Sequence, residues 1–118
     1  MEAGRVTLSA HVRITVKDDA SDLPGAFGAG CVALLEGVEQ EGSLNRAAKR
    51  MGMAYSKAWR IVREAEAHLG SPLLARNGAR GSELTDEAKA YMQSYRSLQK
   101  KVEALVNEEI RGWGAPRQ

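Results

Sequence analysis

A chain of 118 residues, 43% hydrophobic and 27% charged, suits one soluble folded domain, and a second, sensing domain is not expected. The longest apolar runs fall far short of the ~18 residues a membrane-spanning helix needs, and residues 1–4 lack the basic-then-apolar pattern of a secretory leader, so a cytoplasmic protein with no membrane partner is expected. One cysteine, Cys31, excludes an intramolecular disulfide and, with only two histidines, leaves no set of ligands for a familiar metal site.

The net charge of +2 hides an uneven distribution. Residues 1–42 carry three basic and seven acidic side chains, residues 43–82 eight and two, and residues 83–118 six and six. The positive charge is concentrated in the middle third, where a polyanion such as double-stranded DNA would be met.

In residues 6–16 every even position is apolar (Val6, Leu8, Ala10, Val12, Ile14, Val16) and every odd position is polar, the period of a half-buried strand with His11 facing solvent. Residues 18–30, rich in Asp, Gly and Ala and containing Pro24, form a turn with a short extended piece near Phe27. Cys31, Leu34, Leu35 and Val38 then recur at helical spacing, with Cys31 as a buried thiol and Gly42 as the helix end.

Ser43 is placed to cap a second, short helix with a narrow stripe of Leu44, Ala47, Ala48 and Met51, ended by Gly52. A third helix spans about residues 54–69. It buries Tyr55, Ala58, Trp59, Val62, Ala65 and Leu69 and turns Ser56, Lys57, Arg60 and Glu64 outward.

Gly70, Ser71 and Pro72 break that helix, and residues 73–76 and 83–84 form two short strands around a turn at residues 77–82. Thr85 caps a last helix that runs to Ile110, with Asp86 and Glu87 in its positive first turn. Along it Ala88, Tyr91, Tyr95, Leu98, Val102 and Leu105 are spaced 3, 4, 3, 4 and 3 residues apart, an a/d seam. Two readings of this helix stand open: a homodimer joined through Tyr91, Tyr95, Leu98, Val102 and Leu105, or packing against the chain's own first strand.

The fold expected is mainly α with small β. It is a winged helix-turn-helix with an N-terminal strand and loop (residues 1–29), the helix-turn-helix and β-hairpin wing (30–85), a long C-terminal dimerisation helix (86–111) and a tail (112–118). Two helices separated by a tight turn, the second longer and polar on its outer face, are the helix-turn-helix pattern, and Ala47 and Ala48 let the pair approach closely.

An α-helix fits the major groove of B-DNA, where lysine and arginine donate to guanine and a hydroxyl serves several bases, so Ser56, Lys57 and Arg60 are the candidate readers. Ser43, Arg46, Lys49, Arg50 and Arg63 flank them as candidate phosphate contacts, which contribute affinity without sequence information. Tyr55 either reaches a phosphate or locks the helix from a partly buried position. Arg76, Asn77 and Arg80 form either a wing tip that lies along the duplex or a plain hairpin tip.

Enzyme chemistry finds no support: no nucleophile is paired with a histidine, no glycine motif cradles a phosphate, and no catalytic residue or cofactor site is expected. An alternative from another class is a winged helix that binds an acidic protein partner through the same basic face.

The run Gly42-Ser43-Leu44-Asn45-Arg46-Ala47-Ala48-Lys49, followed by Gly52-Met53-Ala54-Tyr55-Ser56-Lys57-Ala58-Trp59, resembles the N-terminal domain of the ModE family of molybdate-responsive regulators. More broadly, Gly70-Ser71-Pro72-Leu73-Leu74 and Leu84-Thr85 are similar to the LysR-type winged helix. The resemblance covers about residues 28–110 and implies a winged domain that dimerises through its helices and binds operator DNA. It departs from the family at Ala54, where the usual serine cap is missing at a cost of about 1 kcal/mol. The glycine-rich wing is also short, Ala88 replaces a glycine, and no molybdate-binding region is evident in this chain.

Overall fold

The computed structural model describes residues 6–76 and 81–113. Strand β1 (Thr15–Val16) pairs antiparallel with β2 (Phe27–Gly28), Thr15 opposite Gly28 and Val16 opposite Phe27. Three helices follow, α1 (Ala29–Glu41), α2 (Leu44–Arg50) and α3 (Tyr55–Leu69). The hairpin of β3 (Leu74–Arg76) and β4 (Ser82–Leu84), with Ala75 opposite Glu83, leads into the 25-residue helix α4 (Asp86–Ile110).

Local chemistry sets the boundaries. Gly42 takes the left-handed conformation (φ 83°) and its N–H closes α1 onto the Val38 carbonyl, while the Ser43 hydroxyl accepts the Arg46 N–H at 3.1 Å to open α2. Gly70 (φ 67°) ends α3 in the same way. At the start of α4 the Thr85 hydroxyl works in both directions, accepting the Ala88 N–H at 3.0 Å and donating to the Pro72 carbonyl at 2.7 Å. The start of α4 is thereby tied to the segment that enters the wing.

The core is one cluster in which Leu34, Leu35 and Val38 of α1 meet Leu44 and Ala47 of α2, Ala58, Val62 and Ala65 of α3, and Ala88, Met92 and Tyr95 of α4. Phe27, fully buried, presents its ring edgewise to Tyr91 and Tyr95, with centroids 6.0 and 5.6 Å apart. Helices α1 and α2 approach at Gly37, where a Cβ would lie 2.7 Å from the Ala47 Cβ. Cys31 lies in the same core, and burial, aided by the negative charge of Glu66, pushes its thiol up to about 12.

Three expectations change. Of the strand predicted over residues 6–16, only Thr15 and Val16 enter a ladder. Upstream of them the backbone bonds to side chains of α4 instead: Tyr95 Oη donates to the Ile14 carbonyl at 2.9 Å, Gln99 Nε2 to the Val12 carbonyl at 2.7 Å, and Asn107 Oδ1 accepts the Ala10 N–H at 2.9 Å. The alternation survives as half-buried Ala10, Val12 and Ile14 between exposed His11 and Arg13, but Val6 and Leu8 are exposed.

In α3, Trp59 is only partly buried where a core residue was expected, and Tyr55, placed by periodicity on the buried side but also read as a candidate phosphate contact, is exposed. They lie at the edge of the buried face, whose centre is Ala58, Val62 and Ala65, with His68 joining it. That histidine accepts the Asp18 N–H at Nδ1 (2.9 Å), so its proton sits on Nε2, facing the carbonyls of Leu23 and Pro24 at 3.2 and 3.1 Å. It fastens the loop before β2 to the end of α3.

In α4 the first half of the expected seam turns inward. Tyr95 is buried and Tyr91 half-buried, both edgewise to the chain's own Phe27 in the common core.

Candidate nucleic-acid interface

Helix α3 is held by its apolar face, which leaves Ser56, Lys57, Arg60 and Arg63 exposed on the other side. Ser56, Arg60 and Arg63 are spaced four and three residues apart, so they share one face of the helix. On the preceding helix Arg46 and Lys49, three residues apart, are likewise exposed. Ser43 is half-buried, with its oxygen engaged in the α2 cap. Among the described residues Arg46, Lys49, Lys57, Arg60 and Arg76 make no ion pair. Their charges are therefore open to an anionic partner.

Two arginines are already engaged. Arg50 pairs with Glu41 at 3.0 Å and also donates to Gln40, joining the end of α2 to the end of α1. Arg63 pairs with Glu66 at 3.0 Å and lies with its guanidinium carbon 4.3 Å from the centroid of the Trp59 ring. Tyr55 stacks on the same tryptophan, centroids 6.4 Å apart and planes inclined by 23°. Periodicity placed Trp59 in the core by its apolar neighbours. The signal it lacked is the sequence Tyr55, Trp59, Arg63, in which side chains one turn apart stack on one another along the helix.

The wing is anchored to the helix-turn-helix at its root. Gly81 adopts φ 113°, and a Cβ there would sit 2.7 Å from the Gly42 carbonyl and 2.9 Å from the Ser43 Cβ. The Ser82 N–H points to that carbonyl at 3.3 Å. Strand β4 thus rises from the turn that caps α2, with Arg76 exposed at the end of β3. Asn77 and Arg80, expected at the wing tip, lie outside the described residues. Ala54 stands as the residue before α3 with no side-chain bond to the helix, as the missing serine implied.

On α4, Leu98 is 43% and Leu105 69% exposed while Val102 is half-buried, so the outer part of the seam is uncovered. Among the described residues no group of three or more His, Cys, Asp and Glu is placed to hold a metal ion. No helix among them is long and apolar enough to cross a membrane.

Comparison with known proteins places this arrangement. Residues 32–89 match the family of bacterial regulatory helix-turn-helix proteins, lysR family. The molybdenum transport protein ModE of Azotobacter vinelandii is 38% identical over 72 residues, 58% of this chain and 27% of that protein, so the chain spans about a quarter of this relative's length. The crystal structure of a CbnR DNA-binding domain in complex with DNA superposes with a TM-score of 0.55 at 26% identity, covering 67% of this chain and 90% of that one. The complex of the BenM DNA-binding domain with catB site 1 DNA does so with 0.55 at 26%, covering 73% and 94%. For CbnR, a LysR family transcriptional regulator, the values are 0.54 and 27%, over 70% of this chain and 28% of that one. The resemblance read from Gly42–Trp59 and from Gly70–Leu74 is borne out: residues 32–89 match the lysR helix-turn-helix family, and the fold is similar to the winged-helix DNA-binding domains solved for LysR-type regulators.

Proposed function

We propose that this chain binds double-stranded DNA sequence-specifically as a cytoplasmic transcription regulator, with α3 in the major groove and no catalytic role. The observation that carries the reading is the exposed polar face of α3, Ser56, Lys57 and Arg60, beside Arg46 and Lys49 of α2. A groove-reading helix needs hydroxyl and cationic donors on its free side, with phosphate contacts from the helix before it. Relatives in the same fold are solved as complexes with DNA. Arg76, Asn77 and Arg80 would follow the duplex beyond α3, and the Tyr55 hydroxyl would meet the backbone at the first turn of the helix.

The chain acts as a homodimer in this reading. The interface is narrower than the heptad suggested: Leu98, Val102 and Leu105 form it, while Tyr91 and Tyr95 serve the protomer's own core.

The test is selection of bound duplexes from a random library at near-physiological salt, followed by titration of the selected site against scrambled DNA. A two-fold symmetric motif bound at least about a thousandfold more tightly is expected. No enrichment of any sequence overturns the specific-binding reading. Leu98→Asp is expected to sediment as a monomer, and a persisting dimer would move the interface off α4.

A further inference from the structure

Four side chains on one flank of α3 form a connected column. Tyr55 stacks on Trp59, the Arg63 guanidinium lies 4.3 Å from the Trp59 ring centroid, and Arg63 Nη1 meets Glu66 Oε1 at 3.0 Å. Glu66 is itself fixed, because its other oxygen accepts the N–H of Leu73 at 2.7 Å and of Leu74 at 3.4 Å, where the chain enters the wing. The column therefore lies on the wing side of the recognition helix and is fastened at its base to the wing.

The pair at its foot is lopsided. The Arg63 side chain is 62% exposed and that of Glu66 11%. The carboxylate looks inward to backbone donors and the cation outward. A guanidinium donates in its own plane through five N–H groups, and Glu66 takes one edge while the ring covers a face. The remaining edges are open to solvent in a fixed orientation. An unrestrained surface arginine loses rotamer freedom when it clamps an anion, whereas two contacts already restrict this one in the free protein.

We propose that Trp59 and Glu66 are positioning residues that hold the Arg63 guanidinium ready for a DNA phosphate on the wing side of α3. The proposal rests on the DNA-binding reading above and deepens it: Arg63 becomes a prearranged clamp, and Trp59 acts on DNA through Arg63 without touching a base.

The test measures Kd on the selected duplex, and its dependence on salt, for the intact chain and for Arg63→Ala, Arg63→Lys, Trp59→Phe, Trp59→Leu and the double variant Trp59→Leu/Arg63→Ala. Trp59→Leu keeps apolar cover over the core but removes the π-face. Arg63→Ala and Trp59→Leu are each expected to weaken binding about fivefold on every duplex, the size of the ordering cost of one long interface side chain, and Arg63→Ala to lower the salt slope by about one. The double variant should bind no worse than the weaker single variant. Trp59→Phe, which keeps a ring, should stay within about twofold of the parent.

Multiplicative losses in the double variant overturn the proposal, as does a Trp59→Leu loss confined to one base pair, which would make Trp59 a reader. Full binding by Arg63→Lys, a test that leaves Trp59 untouched, overturns it as well, since charge without a stacked plane would then suffice. If Arg60→Ala loses binding while Arg63→Ala does not, the DNA-binding reading stands and the clamp falls. If the parent binds no duplex, that wider reading has itself failed.

Discussion

The body formed by α1, α2 and α3 and the segment before β1 both carry a regular apolar pattern, yet they are built by different means. In the body each element is bounded by its own residues, Gly42, Ser43 and Gly70, and its apolar stripe meets another stripe in one buried cluster. Residues 10–14 have no such partner strand. The Ala10 N–H and the Val12 and Ile14 carbonyls are met instead by three side chains of α4, 81 to 97 residues away. Period alone announces an apolar face, and what that face and its backbone will meet is decided elsewhere in the chain.

The sharpest way to break the contrast is a cavity in the body. Leu34 is fully buried where α1 meets the rest of the core. Leu34→Ala is expected to cost about 2–5 kcal/mol in urea unfolding, a large share of the stability of a domain of this size. A loss below about 1 kcal/mol would mean that the body is not the cooperative unit.

Next in size is the helix crossing at Gly37. Sequence reading gave Ala47 to the close approach of α2 and α3, whereas the structure sets it against Gly37 of α1. Gly37→Val places a branched side chain where even a Cβ would stand 2.7 Å from Ala47. Overpacking of this kind costs about 1–3 kcal/mol, which outweighs the gain from replacing a helical glycine. Unchanged stability in thermal unfolding would mean that the α1–α2 angle is free to open.

At the outer face of the same body, Arg60→Ala is expected to weaken specific DNA binding by about 1–3 kcal/mol and to relax preference at one base pair. Equal losses on selected and scrambled DNA would reassign Arg60 to the phosphates. Such a result would sharpen the contrast differently, since it would leave Ser56 and Lys57 as the readers.

What could be read in advance follows the same division. The Ser43 and Thr85 caps, the glycine ends, the end of α4 at Ile110 and the stripe of Leu44, Ala47 and Ala48 are properties of a few consecutive residues and were legible, although Met51, expected to continue the stripe, is exposed just past the end of α2. His68 was not, because its role is set by the Asp18 N–H and by carbonyls more than forty residues away. Arg50 read as a free cation, but its partners, Gln40 and Glu41, come together with it only when α2 folds back on α1. Tyr95 fitted a seam of seven-residue period equally well as a core residue, and Phe27 decides between the two. In the candidate interface the exposed face of α3 was legible, whereas the column through Trp59 was not, since a flank residue at the edge of an apolar stripe has two sides to choose from.

The smallest effect tests the other half of the comparison. Asn107 pairs with both backbone groups of Ala10, accepting its N–H at 2.9 Å and facing its carbonyl at 3.4 Å, in imitation of a strand partner. Asn107→Ala removes both contacts at a site only partly buried, so the global cost should be about 1 kcal/mol or less. Locally the effect should be larger. The Ala10 amide is expected to exchange with solvent at nearly the rate of an unprotected amide, while amides of Leu35 and Val38 in α1 keep their protection. If Ala10 stays protected, the half-buried side chains of Ala10, Val12 and Ile14 hold the segment without Asn107. If the α1 amides exchange faster as well, the segment and the body open together, and the distinction between a self-bounded body and a borrowed strand disappears.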